Sequence, residues 1–286
     1  MQSIEVLYNK CSGQDIYILG TGASVRVFPL DMLQGRTVIG LNMAWKLWPV
    51  NFGITMRPEL NIPEFMGEGE HPNIQWITKP NKLTSPEQVE FVAQNANRFY
   101  SFRTDGKKCN LPKDQPSEAG RMLDWVRQPS GQFLYLWSSI SQSAMNLAAN
   151  MGAKNIFLIG CDNSALGGNH HAHAQHTFWK GEDPNVRYRQ YEQGCHEVRL
   201  ALGDRGVNVV SLTPFMSLSD ADRQFMELCD ELRRPRYIEN PDITKQQTPV
   251  PVNSGAQARV TTSADSKKSK TEGLIASVQN YFSRAG

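Results

Sequence analysis

The chain has 286 residues, 40% hydrophobic and 20% charged, with a formal net charge of +2. That length suits one large α/β domain or two small ones, and no apolar run approaches the roughly 18 residues that a membrane span needs. From residue 233 onward nine Lys/Arg stand against four Asp/Glu, so the rest of the chain is slightly acidic and lacks the basic excess of a nucleic-acid binder. The opening MQSIEVLYNK has neither the basic flank nor the apolar core of a secretion signal. Five cysteines without close pairing point to reduced thiols and a cytoplasmic setting.

In chain order, seven short β-branched or aromatic runs bounded by turn residues read as strands: DIYILG (15–20), TVIGLN (37–42), FGITM (52–56), NIQWIT (73–78), QFLYLW (132–137), NIFLIG (155–160) and VNVVSL (207–212). Several are apolar on both alternating faces, as in a sheet covered on both sides. Between them, Ile140, Ala144, Leu147, Ala148 and Met151 recur at helical spacing, with Ser138 or Ser139 as N-cap and Gly152 as the stop. Tyr188, Tyr191, Cys195, Val198 and Leu202 form a second stripe, and residues 220–232 a third. This alternation predicts an α/β fold, a doubly wound and mostly parallel sheet, with helices inserted over about residues 80–128.

Beyond residue 237 the composition changes. Residues 238–271 are rich in Pro, Ser, Thr, Gln and Lys, and read as a disordered linker that buries too little surface to offset its ordering entropy. Leu274, Ile275, Val278, Tyr281 and Phe282 then give residues 272–286 the pattern of a short amphipathic helix. It reads either as a frayed end or as a docking element for a protein partner or a neighbouring subunit of a homo-oligomer.

Chemistry concentrates at the ends of the predicted strands. Gly20, Thr21, Gly22, Ala23 and Ser24 follow the first, where glycines let a ligand approach the backbone and a helix start favours an anion. Val25 stands where a full dinucleotide fingerprint has its last glycine, so a plain tight turn also fits. Asn42 ends the second strand, placed for a ribose or base edge, and the third ends near Thr55, which joins the expected nucleotide-binding residues. Asn42 is the wrong residue for NAD, whose ribose is usually held by an acid. Gly160, Cys161, Asp162 and Asn163 end the sixth, and the loop beyond holds His170, His171, His173 and His176.

The run ILGTGAS, IGLNMAW, GITM and SSISQSAMNLAANMGAKNIFLIGCDNS, followed by a histidine-bearing loop, resembles a Rossmann-like superfamily. Its members include the small soluble bacterial sialyltransferases, the flagellin-glycosylation Maf proteins and the archaeal-type 6-hydroxymethylpterin pyrophosphokinases. The likeness spans residues 15–214. Where the sialyltransferases carry G-N-G-P-S around the nucleotide phosphate, this chain carries Gly20 to Ser24. The resemblance also implies a nucleotide-facing role for Asn42, a Gly-x-Asp at Gly160 to Asp162, and a histidine general base in the following loop. Asn163 and Ser164 replace the family's acceptor-side tyrosines.

The expected activity is that of a nucleotide-sugar-dependent glycosyltransferase on a small-molecule or glycan acceptor. His176, or failing it His171, activates the acceptor hydroxyl. Asp162 orients that base or meets sugar hydroxyls, and Ser24, Ser138 and Ser139 stabilise the leaving phosphate. Three alternatives stay open. His171, His173 and His176 with Asp162 offer ligands for zinc or another divalent ion. The same fold also suits a Mg-ATP pyrophosphokinase with Asp162 as a metal ligand, or a non-catalytic nucleotide-binding module tethered by its tail. A histidine-rich surface loop without function is the plainest reading. Lys180, Arg187 and Arg189 flank the loop and fit either a phosphate or a solvated helix face. Every nucleotide reading requires the Gly20–Ser24 turn and the histidine loop to share one cleft, with the turn open.

Overall fold

In the run Asp15–Leu19, Ile16 and Ile18 enter one buried cluster while Tyr17 and Leu19 pack into another. Successive side chains of a strand point to opposite faces, so this run is covered on both sides. The same division recurs at Val38 against Ile39, Trp76 against Ile77, Phe99 against Tyr100, and Leu158 against Ile159. A computed structural model describes residues 1–104, 123–173, 184–213 and 230–231. The chain divides into two units, Met1–Val250 and Pro251–Gly286, and the described residues all lie in the first.

These residues build one eight-stranded sheet: β1 (Gln2–Ser3), β2 (Asp15–Leu19), β3 (Thr37–Leu41), β4 (Phe52–Ile54), β5 (Gln75–Thr78), β6 (Phe99–Ser101), β7 (Asn155–Ile159) and β8 (Asn208–Ser211). The order is β1-β6-β5-β4-β3-β2-β7-β8 and every pairing is parallel. The architecture is therefore α/β and Rossmann-like. The chain steps outward from β2 through β6, then returns to lay β7 on the other side of β2, in a register that pairs Ile18 with both Ile39 and Leu158. The order reverses at β2, and in an open parallel sheet such a switch point leaves a crevice beyond the strand carboxyl ends.

The helix Ile140–Asn150 packs over β2, β3 and β7, and Pro184–Gly203 packs against that helix and β8. The opposite face is covered by short 3-10 segments, Ala23–Val27, Leu30–Leu33 and Asn42–Lys46. The expected helix after the first turn is thus a single 3-10 turn. Among the described residues no helix is long and apolar enough to cross a membrane.

Two expectations need correction. Residues 132–137 are not a strand: Phe133 makes only isolated bridges, to Arg103 and Ser130. The backbone N–H groups that a ladder would use are captured by side chains of the next helix, Tyr135 by Asn146 Oδ1 at 3.0 Å and Trp137 by Gln142 Oε1 at 3.1 Å. Nor is the region 80–128 purely helical: it holds the helix Pro86–Gln94 but also β6, which sits between β5 and β1. The third helical stripe, apart from Asp230 and Glu231, and the tail from 238 to 286 lie outside the described residues.

Candidate functional site

All strands being parallel, their carboxyl ends share one edge, which brings the Gly20–Ser24 turn, Asn42, Thr55 and Gly160–Asn163 together. The first turn and the segment after β7 are in direct contact. Gly22 N–H donates to Gly160 O at 2.8 Å, and a Cβ on Gly20 would lie 2.2 Å from that same oxygen. Only glycine permits this approach. Gly160 itself has φ +62°, which bends the chain sharply as it leaves the strand.

The bend is not open. The Asp162 carboxylate enters it, accepting from the Ser24 N–H at 2.8 Å and from the Ser24 hydroxyl. A Cβ on Gly22 would lie 2.5 Å from that carboxyl group. Enclosure pushes the Asp162 pKa up to about 6, against the pull of the two Ser24 hydrogen bonds. The Ser24 amide, expected to meet a nucleotide phosphate, is therefore already engaged by a carboxylate of the chain. Among the described residues Asp162 makes no hydrogen bond to a histidine, so its expected role in orienting a base has no contact behind it.

The histidine loop does reach the turn. Ala172 N–H donates to Thr21 O at 2.8 Å, and the His171 Nδ1 and the Thr21 hydroxyl share a hydrogen bond of 3.0 Å. Burial and the neighbouring His170 hold the His171 pKa down to about 4, with a backbone hydrogen bond to Thr21 acting weakly the other way. His171 is consequently neutral at pH 7. His173 lies next to it, ring centroids 5.9 Å apart, and is buried. Burial, His171 and Lys46 lower its pKa to about 4. His170 Nδ1 shares a short hydrogen bond with the Tyr188 hydroxyl, and the two rings stack with centroids 5.8 Å apart. His176 and Lys180 lie outside the described residues. Among the described residues no three His, Cys, Asp or Glu side chains are grouped to hold a metal ion.

On the other flank, Asn42 has φ +52°, a left-handed conformation that asparagine tolerates better than most residues. Thr55, fully buried, donates its hydroxyl to Asn42 Oδ1 at 3.1 Å and accepts from Asn61 Nδ2 and Arg57 N–H, each at 3.0 Å. With its oxygen held, Asn42 has its NH₂ group left to offer. Thr55 thus supports Asn42 rather than facing the cleft itself.

Ser138 and Ser139 take structural roles. Ser139 forms a capping box with Gln142 at the start of the Ile140–Asn150 helix. Ser138 Oγ donates to Gln190 O at 3.0 Å and accepts from Gln142 Nε2 at 3.1 Å. Neither hydroxyl is free to stabilise a leaving group as expected. Burial pushes the Cys161 thiol pKa well up, so it stays a neutral thiol, and Ala23 is core. Arg187 lies beside Gln190 on its own helix and Arg189 is exposed. Sequence reasoning missed Tyr188, placed only in a helical stripe, and Lys46, whose ammonium pairs with Glu68 at 2.5 Å near His173. Neither belongs to a motif, so nothing local marked them. No family model, curated protein or solved structure matches this chain.

Proposed function

We propose that this chain binds a nucleotide-activated sugar across the β2–β7 switch point and transfers the sugar to a hydroxyl acceptor, with the phosphates outside the bend that Asp162 closes and not in the open first turn that the sequence reading requires. The observation that carries the reading is the His171–Thr21 hydrogen bond, which joins a neutral imidazole to the first turn at the edge where open α/β sheets take ligands. The resemblance of the strand-end motifs to the sialyltransferase-like superfamily supports the same chemistry.

With Nδ1–H donated to Thr21, the Nε2 lone pair of His171 is the base. The acceptor oxygen attacks the anomeric carbon as the bond to phosphate breaks, and the electron pair of that bond leaves with the nucleotide. The acceptor proton passes to Nε2. A base with a pKa near 4 takes this proton late, once the new C–O bond has made the hydroxyl acidic. Asn42 offers its NH₂ to the nucleotide, and Asp162 keeps lone pairs for sugar hydroxyls beside its bonds to Ser24.

The test is a panel of sugar nucleotides incubated with the full chain, reading nucleotide release by chromatography, with His171→Ala in parallel. Release by the wild type and its loss in the variant support the reading. Release that is unchanged by His171→Ala removes this base from it.

The carboxylate of Asp162 fills the bend that a phosphate would use, which counts against a phosphate there in either case, and the same panel separates turnover from a nucleotide-binding module without it. Binding of bare nucleotides with no release from any sugar nucleotide supports the module. Stabilisation by Mg-ATP alone points to pyrophosphoryl transfer instead.

A further inference from the structure

We propose that His173 is a ligand-binding residue that reads an uncharged, hydroxyl-bearing group, and so engages the sugar rather than the phosphates of whatever occupies the switch-point crevice. The assignment to a sugar nucleotide rests on the reading above; the contact with a hydroxyl-bearing group does not.

The first ground is unmet bonding capacity. His173 is 4% exposed, yet neither Nδ1 nor Nε2 has a hydrogen-bond partner among the described residues. Buried polar atoms are nearly always paired, and one that is not calls for an explanation. Four of the ten such side-chain atoms lie in the segment after β7: the two His173 nitrogens, Asn163 Nδ2 and Ser164 Oγ. The other six belong to six different residues, one atom each, and His173 alone has both polar atoms of its ring unmatched.

Position is the second ground. Ala172 is tied by its N–H to Thr21 O, and the His171 ring, 5.9 Å away, is tied to the Thr21 side chain. Lys46, from the segment after β3, is close enough to act on the ring by its charge. His173 therefore lies beside the turn that follows β2, at the carboxyl edge of the sheet.

The third is chemical character. Burial and the adjacent His171 and Lys46 keep the ring neutral. A neutral imidazole presents one N–H donor and one acceptor nitrogen. That pair matches hydroxyl groups, each of which both donates and accepts. A phosphate, which only accepts, leaves the second nitrogen unmatched and finds no charge.

The experiment follows the imidazole ¹⁵N resonances of the full chain, with His173 assigned from the spectrum of His173→Phe, a variant that fills the ring's volume without polar atoms. The probes are UDP, CMP and GDP; UDP-glucose, UDP-N-acetylglucosamine, GDP-mannose and CMP-N-acetylneuraminate; and the free sugars. Calorimetry measures nucleotide binding separately. The expected result is a His173 shift with at least one sugar-bearing probe and none with bare nucleotides. At least tenfold weaker binding of that probe by His173→Phe should accompany it, with bare-nucleotide affinity within twofold. No His173 shift with any probe, or an equal shift with bare nucleotides, overturns the proposal. A chain that binds no nucleotide but whose His173 still responds to a free sugar keeps this inference and discards the nucleotide reading. Nucleotide binding without a His173 response to any sugar does the reverse.

Discussion

The carboxylate of Asp162, 138 positions along the chain from Ser24, receives both the backbone N–H and the hydroxyl of that serine. It does at the first turn what a bound anion does elsewhere: it satisfies the free amide and closes the bend. The turn after β2 and the segment after β7 are thereby fastened to each other.

Removing the latch should loosen the edge without dissolving the sheet. Asp162→Ala leaves the Ser24 amide and hydroxyl without their acceptor, a cost of about 1–3 kcal/mol. Asp162→Asn keeps one acceptor oxygen and should cost less. Urea unfolding followed by tryptophan fluorescence checks the ranking, and equal stability of the three proteins contradicts it.

The edge also predicts a pH dependence with two opposing parts. Asp162 titrates near 6 when folded, above its ordinary 3.8, so it favours folding most below pH 3.8 and loses that contribution as pH rises through 6. His171 and His173 titrate near 4, below the ordinary 6.5, so their contribution is complete above pH 6.5 and is lost as pH falls through 4. Each shift is worth on the order of 3 kcal/mol. Two histidines outweigh one carboxyl, so stability should rise between pH 4 and 6.5. Replacing both histidines by Gln should reverse that slope, as measured by denaturant midpoints across the range.

If His171 is the base, turnover should stay nearly flat from neutral pH down to about 5 and fall with an apparent pKa near 4 rather than 6.5. His171→Ala should lower turnover by about 100- to 10,000-fold, with bare-nucleotide affinity retained. A rate profile that breaks near 6.5 assigns the base to another histidine.

Ser139 separates a helix cap from a phosphate ligand. As a cap, Ser139→Ala should cost about 1 kcal/mol of stability and leave nucleotide affinity within twofold. A tenfold loss of affinity with unchanged stability would restore the ligand role that its capping box argues against.

The sequence by itself determined the layers and most of the strands. Runs such as DIYILG and NIFLIG carry apolar residues on both alternating faces, and that periodicity is a local property that burial on two sides imposes directly. Three-residue β6 has too little length to show a period, and QFLYLW has the period of a strand but gives its N–H groups to Asn146 and Gln142. The motifs at the strand ends were legible for a related reason, since parallel strands deliver their carboxyl ends to one edge whatever their order. What those motifs touch was decided only by the tertiary structure. Asp162 meeting Ser24 and His171 meeting Thr21 across 150 positions depend on β7 returning to the side of β2 that β3 leaves open. Contacts between residues so far apart in the chain carry no local signature, because side-chain partners are set by the strand order and not by spacing along the sequence.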